Sequence, residues 1–112
     1  MTFNATLETN NDIATIKLSG ELDALTASIF KTEVDKAASQ GVKCLVLLLQ
    51  DLEYMSSAGL RVLIFAKQKM GANADIYVVG AQESVISTLK KTGFDRSVIL
   101  LDQDDIAELE NV

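Results

Sequence analysis

Two adjacent hydroxyls, Ser56 and Ser57, separate an apolar run at 44–49 from a helix-like stretch at 58–70. A helix start leaves main-chain N–H groups unpaired, and serine is among the residues that best cap them. The same end carries the positive pole of the helix dipole and tolerates an added anion. The chemistry that suits this spacing is modification. A phosphate on Ser57 adds about −1.5 to −2 charge and three acceptor oxygens where helix N–H groups can hold them. One serine is free to cap while the other faces solvent, and Ser56 is the second candidate for modification. Gly59 removes a side chain from the first turn, so that either a partner's backbone approaches or the helix packs close on a sheet. Arg61 lies one turn into the helix, placed to steady a phosphate, to reach an acidic partner, or simply to be solvated. Asp23 and Asp51 are expected to end two strands at the same edge of a parallel sheet, where sites tend to form. The alternative for each is to start or cap a turn.

Conventional catalysis finds few parts in this chain. Histidine is absent, so a Ser–His pair cannot form, and a lone serine lacks an evident base. Neither a Gly-rich phosphate loop nor a two-cysteine redox motif is present. Asp51, after a central strand, invites comparison with the phosphoacceptor of receiver domains. That arrangement wants an acidic pair after an early strand and a hydroxyl at a later strand end. Asp23 has no acidic neighbour, and Val79-Gly80-Ala81 offers no hydroxyl.

The elements that must position these groups follow from periodicity. Phe3, Ala5 and Leu7 alternate with polar residues as a half-exposed strand. Asn10-Asn11-Asp12 forms a turn, and Ile13, Ile16 and Leu18 carry a second strand paired as a hairpin. Thr26 is the expected N-cap of a helix to about Ser39, with Ala27, Phe30, Val34 and Ala37 on its apolar face and Gly41 beyond its end. The run 44–49 reads as a central strand covered on both faces, with Cys44 as a small core residue. A helix over about Ser57 to Met70, with Phe65 and Met70 as core or helix-flank residues, stops at Gly71. A strand over 76–79 follows, then a helix marked by Val85, Ile86 and Leu89 and stopped near Gly93. A strand at 98–101 and a short terminal helix at Ile106 and Leu109 complete the chain. This alternation predicts an α/β domain with a mixed, mostly parallel sheet of about four to five strands and about four helices.

Composition narrows the partners. The 112 residues suffice for one domain with one core, and the expectation is a single domain over 1–112. The apolar runs fall far short of the roughly 20 residues of a membrane span, and Met1-Thr2-Phe3-Asn4 lacks the basic and apolar parts of a signal peptide. A cytoplasmic protein with no membrane partner is expected. The net charge of −6 leaves no basic stripe for nucleic acid. One cysteine allows neither an internal disulfide nor metal-ligand spacing, and no cofactor is expected.

The run Tyr54-Met55-Ser56-Ser57-Ala58-Gly59-Leu60 closely resembles the phosphorylation segment of anti-sigma factor antagonists, the small free-standing STAS domains of bacteria. Ser19-Gly20-Glu21-Leu22-Asp23 matches a second landmark of that family. The resemblance implies the STAS fold across essentially the whole chain. It implies phosphorylation of Ser57, the serine two positions before the Gly-Leu pair, and a partner surface at Asp23, Ser56, Ser57, Ala58, Gly59 and Arg61. Family members often carry Asp where this chain has Ser56, which removes a charge beside the target and adds a rival hydroxyl. The implied partners are a serine kinase that doubles as an anti-sigma factor, of the histidine-kinase-like ATPase type, and a metal-dependent PP2C-type phosphatase. The unmodified protein would bind the kinase and release a sigma factor or another client. The alternative is a constitutive STAS scaffold subunit that ignores phosphorylation.

Overall fold

A computed structural model describes residues 3–71 and 73–102 of the chain. Strand β1 (Asn4–Asn10) turns back into β2 (Ile13–Leu22), followed by helix α1 (Ala27–Ser39) and strand β3 (Cys44–Met55). Helix α2 (Ser57–Met70), strand β4 (Asp75–Val79), helix α3 (Glu83–Thr92), a 3-10 turn (Phe94–Arg96) and strand β5 (Ile99–Leu101) complete the order. The strands lie in sequence order in one sheet. Only β1–β2 is antiparallel; β2–β3, β3–β4 and β4–β5 are parallel. The expected hairpin is present, and Asn11 turns it in the left-handed region at φ 58°. The expected terminal helix at Ile106 and Leu109 falls outside the described residues.

The period of two along the strands sorts the two faces of the sheet. Ile16, Leu47 and Val78 share one register row. They sit in the main core with Phe30 and Val34 of α1, Leu60 and Leu63 of α2, and Val85 and Leu89 of α3. The next row, Thr15–Val46–Tyr77, faces the other way. There Val46 and Val79 form a second, smaller cluster with Ile13, Cys44, Leu48, Tyr77 and Leu101. Among the described residues, all three helices contribute to the first face and none to the second. Cys44 lies at the margin of the smaller cluster and is not fully buried. As the first residue of β3 it is half-buried, and burial together with the nearby Asp75 charge pushes its thiol up to about 11.

Strand β3 is longer than its sequence suggests. Residues 51–55, beyond the apolar run 44–49, continue the strand to Met55. The pairing with β2 slips between Lys17 and Ser19 and again between Gly20 and Glu21. These irregularities break the period of two, so the buried residues run Leu49, Leu52, Met55, three apart rather than two. β4 pairs only with Cys44–Leu48, so beyond that point β2 and β3 continue as a two-stranded ribbon ending at Leu22 opposite Met55. Where β4 is missing, α3 supplies donors. Gln82 Nε2 donates to the Gln50 carbonyl at 2.9 Å, and Ser84 Oγ donates to the Glu53 carbonyl at 3.1 Å.

The extension also moves Asp51. It does not end the strand; it lies opposite Ser19, four positions before Met55, and pairs with Lys17 at 3.6 Å. Both side chains are exposed, and such pairs contribute about 0–1 kcal/mol.

All three residues of the central row are fully buried. Leu47 is fully buried between Ile16 and Val78, so Leu47→Ala is expected to lower unfolding free energy by about 2–5 kcal/mol, measured by urea denaturation.

Candidate functional site

At the end of the β2–β3 ribbon two chain reversals lie side by side, because Leu22 and Met55 are register partners. One runs from Asp23 into α1, the other from Ser56 into α2. They are tied together by the main chain: the Ser56 N–H donates to the Leu22 carbonyl at 2.8 Å.

Ser56 is the cap. Its backbone is extended (φ −85°, ψ 177°), and its Oγ accepts from the Ala58 N–H at 3.2 Å. Its carbonyl accepts from the Leu60 N–H at 3.1 Å, which starts the helix. Ser57 is the first residue of α2; it is exposed, and its hydroxyl makes no hydrogen bond among the described residues. The competition between the two serines is therefore divided by geometry: Ser56, half-buried, is committed to the helix, and Ser57 presents a free hydroxyl. The first turn of α2 contains no acidic residue, so nothing there opposes an added anion.

Ala58 is half-buried behind Ser57, while Gly59 is buried. A Cβ on Gly59 would come within 2.7 Å of Leu22 Cγ and Cδ2 and 3.0 Å of Met55 Cγ. Close packing of helix on ribbon is thus what the glycine serves; it faces the fold and not an incoming chain. Arg61 is exposed and makes no ion pair among the described residues. Four residues after Ser57, it shares that residue's side of the helix.

Asp23 follows the end of β2 and takes the turn role that its sequence setting also allowed. Thr26 makes no side-chain cap to α1. The Asp23 side chain instead folds the turn that precedes the helix: its Oδ1 accepts from the Leu25 N–H at 3.0 Å and the Thr26 N–H at 3.1 Å. Thr26 Oγ1 instead accepts from the Asp23 N–H at 2.9 Å. It lies 2.9 Å from the Glu21 carbonyl and 3.2 Å from Asp23 Oδ1, which compete for its single proton. Together these bonds fix a compact turn. The Thr26 N–H above all, helped by the Thr26 hydroxyl and the Leu25 N–H, holds the Asp23 carboxyl below the usual carboxylate range against a smaller effect of desolvation. Asp51, expected beside Asp23, belongs to the ribbon's interior register and takes no part.

Sequence reading missed Leu22 and Leu25. Leu22 is fully buried and is the contact for both reversals. Its signal was available in the alternation Leu18, Gly20, Leu22. Leu25 is exposed, and nothing in its sequence setting distinguishes it from a core leucine.

Among the described residues no group of three or more acidic or cysteine side chains is placed to hold a metal. A groove of about 680 Å³, floored by Ile13, Val46 and Tyr77 and rimmed by Glu8, Asp12 and Asp75, lies where β3 and β4 begin. The reversals lie at the opposite end of β3, and no residue of theirs lines that groove. No described helix is long and apolar enough to cross a membrane.

A mixed sheet with the Ser56–Ser57 reversal beside the Asp23 turn defines an α/β domain of the STAS type. The chain belongs to the STAS domain family, which it matches over residues 4–108. It is 24% identical over 92 residues to the anti-sigma-F factor antagonist RsfB of Mycobacterium tuberculosis, covering 82% of this chain and 75% of that one. Its fold matches the unphosphorylated form of the anti-sigma factor antagonist SpoIIAA (TM-score 0.82, 17% identity, 97% of this chain and 98% of that one). It also matches the phosphorylated form of the Bacillus cell fate determinant SpoIIAA (TM-score 0.73, 17% identity, 94% and 97%).

Two outcomes test this geometry. Gly59→Ala should gain about 1 kcal/mol of helix propensity but lose more to overpacking, about 1–3 kcal/mol, giving a net fall in urea midpoint. Because the Asp23 pKa is lower folded than unfolded, its contribution is full above the ordinary carboxylate range and is lost as pH falls through the folded value. The Leu25 and Thr26 amide resonances should therefore titrate together at acidic pH in the native protein, and Asp23→Asn should abolish that titration.

Proposed function

We propose that this protein is an anti-sigma factor antagonist controlled by phosphorylation of Ser57. In the unmodified state it binds a serine kinase of the histidine-kinase-like ATPase type that also holds a sigma factor or another client, and so frees that client. The kinase transfers the γ-phosphoryl group of ATP to Ser57 Oγ, with loss of the hydroxyl proton and departure of ADP. A PP2C-type phosphatase hydrolyses the ester and restores the hydroxyl. The chain acts as substrate and ligand, with Asp23, Ser56, Ser57, Ala58 and Arg61 around the docking surface and Gly59 beneath it.

The observation that carries this reading is the division of labour between the serines. Ser56 Oγ accepts the Ala58 N–H, whereas the exposed Ser57 hydroxyl is open to an incoming enzyme. Family membership and the names of the relatives support the same reading. A phosphate on Ser57 would add about −1.5 to −2 charge at the surface a partner covers, without unfolding the helix that carries it. A loss of about 3 kcal/mol on docking is roughly a hundredfold in affinity.

Incubation with the cognate kinase and ATP should add one phosphate, mapped to Ser57 by mass spectrometry and absent in Ser57→Ala. Ser57→Asp should weaken kinase capture, by up to about a hundredfold in calorimetry. Full modification of Ser57→Ala would exclude the site, and undiminished capture of Ser57→Asp would exclude the switch in favour of a constitutive scaffold.

A further inference from the structure

Leu25 is 86% exposed, the most exposed of the large apolar side chains among the described residues, and Ile29 is 48% exposed. Isolated surface leucines are common and need no explanation. This one differs in how it is held. Its own N–H is bonded to Asp23 Oδ1, the next N–H is bonded to the same oxygen, and the Ala27 N–H donates to the Asp23 carbonyl at 2.9 Å. The turn continues directly into α1, where Ile29 is also exposed. Phe30, the neighbour of Ile29, is fully buried, so the helix is seated on its core without them.

The place matters as much as the exposure. Asp23 and Ser56 leave adjacent strand ends, where the Ser56 N–H is bonded to the Leu22 carbonyl. A partner that covers the Ser57 hydroxyl therefore meets the Asp23 turn as well. A rigidly presented apolar side chain loses little conformational freedom on docking, which is the property of an interface anchor.

We infer that Leu25 is the apolar anchor of the docking surface and inserts into an apolar pocket on the kinase that recognises Ser57. Asp23 is a positioning residue: its carboxylate shapes the turn that points Leu25 outward. The inference rests on the function proposed above, and the two separate experimentally. The partner is committed by chemistry to an apolar, leucine-sized pocket beside its phosphoryl-transfer site. Affinity then divides into an apolar part at Leu25, indifferent to salt, and a charge-sensitive part at Ser57.

Calorimetric titration of the cognate kinase with single variants of the full chain tests this. Leu25→Ala and Leu25→Asp should weaken capture at least about tenfold, Leu25→Met should stay within a few-fold of the parent, and the Leu25→Ala loss should not change between low and high salt. Asp23→Asn should give a smaller loss while its far-ultraviolet spectrum stays native. If Leu25→Asp binds like the parent while Ser57→Asp is released, the anchor is refuted and the switch stands. If Ser57→Asp also binds like the parent, the proposed function falls and the anchor with it. Leu25→Asp unfolding is excluded by the same spectrum; a folded Leu25→Met that binds as poorly as Leu25→Asp also refutes an apolar pocket.

Discussion

The contact on which the site depends is made by Leu22. Its side chain is fully buried against Gly59 and Met55, and its carbonyl accepts the Ser56 N–H. One residue therefore supports the helix start that bears Ser57 and ends the strand that leads into the Asp23 turn. Any larger side chain at position 59 would push these apart. The distance between hydroxyl and turn is set by packing, which is stiff, and not by the loops themselves.

That arrangement explains why a polar site sits on an otherwise apolar architecture without buried charge. No buried residue among those described is polar or charged. The site's hydrogen bonds are short-range and main-chain based: Ser56 to Ala58, Asp23 to Leu25 and Thr26. Ser56 satisfies an N–H at the start of α2 and Asp23 satisfies two in the turn before α1, so both turns are hydrogen-bonded before any partner arrives. A charge added at Ser57 would enter solvent beside N–H groups and not a core.

Much of the domain was legible from its periodicities. The hairpin, α1, the helix from Ser57 to Met70, and the run of parallel strands all followed from apolar spacing and from Asn and Gly at the turns, with Gly93 left-handed at φ 78° ending α3. Three differences share one cause. The end of β3, Asp51's position and the ribbon were hidden because the register slips against β2, and a slip leaves no mark on a single strand's sequence. Thr26 does hold the N-cap position, but its hydroxyl is engaged by the Asp23 N–H and the Glu21 carbonyl in the preceding turn and makes no cap bond to the helix.

The sequence by itself determined the α/β class, the order of elements and the serine pair at a helix start, since these depend on local pattern and on which side chains can cap. Tertiary structure decided which serine is spent and which is free, that Gly59 serves packing, that Asp51 stands apart, and that Leu25 points to solvent. Those outcomes depend on which strand ends lie opposite each other, and that is a property of pairing between distant segments.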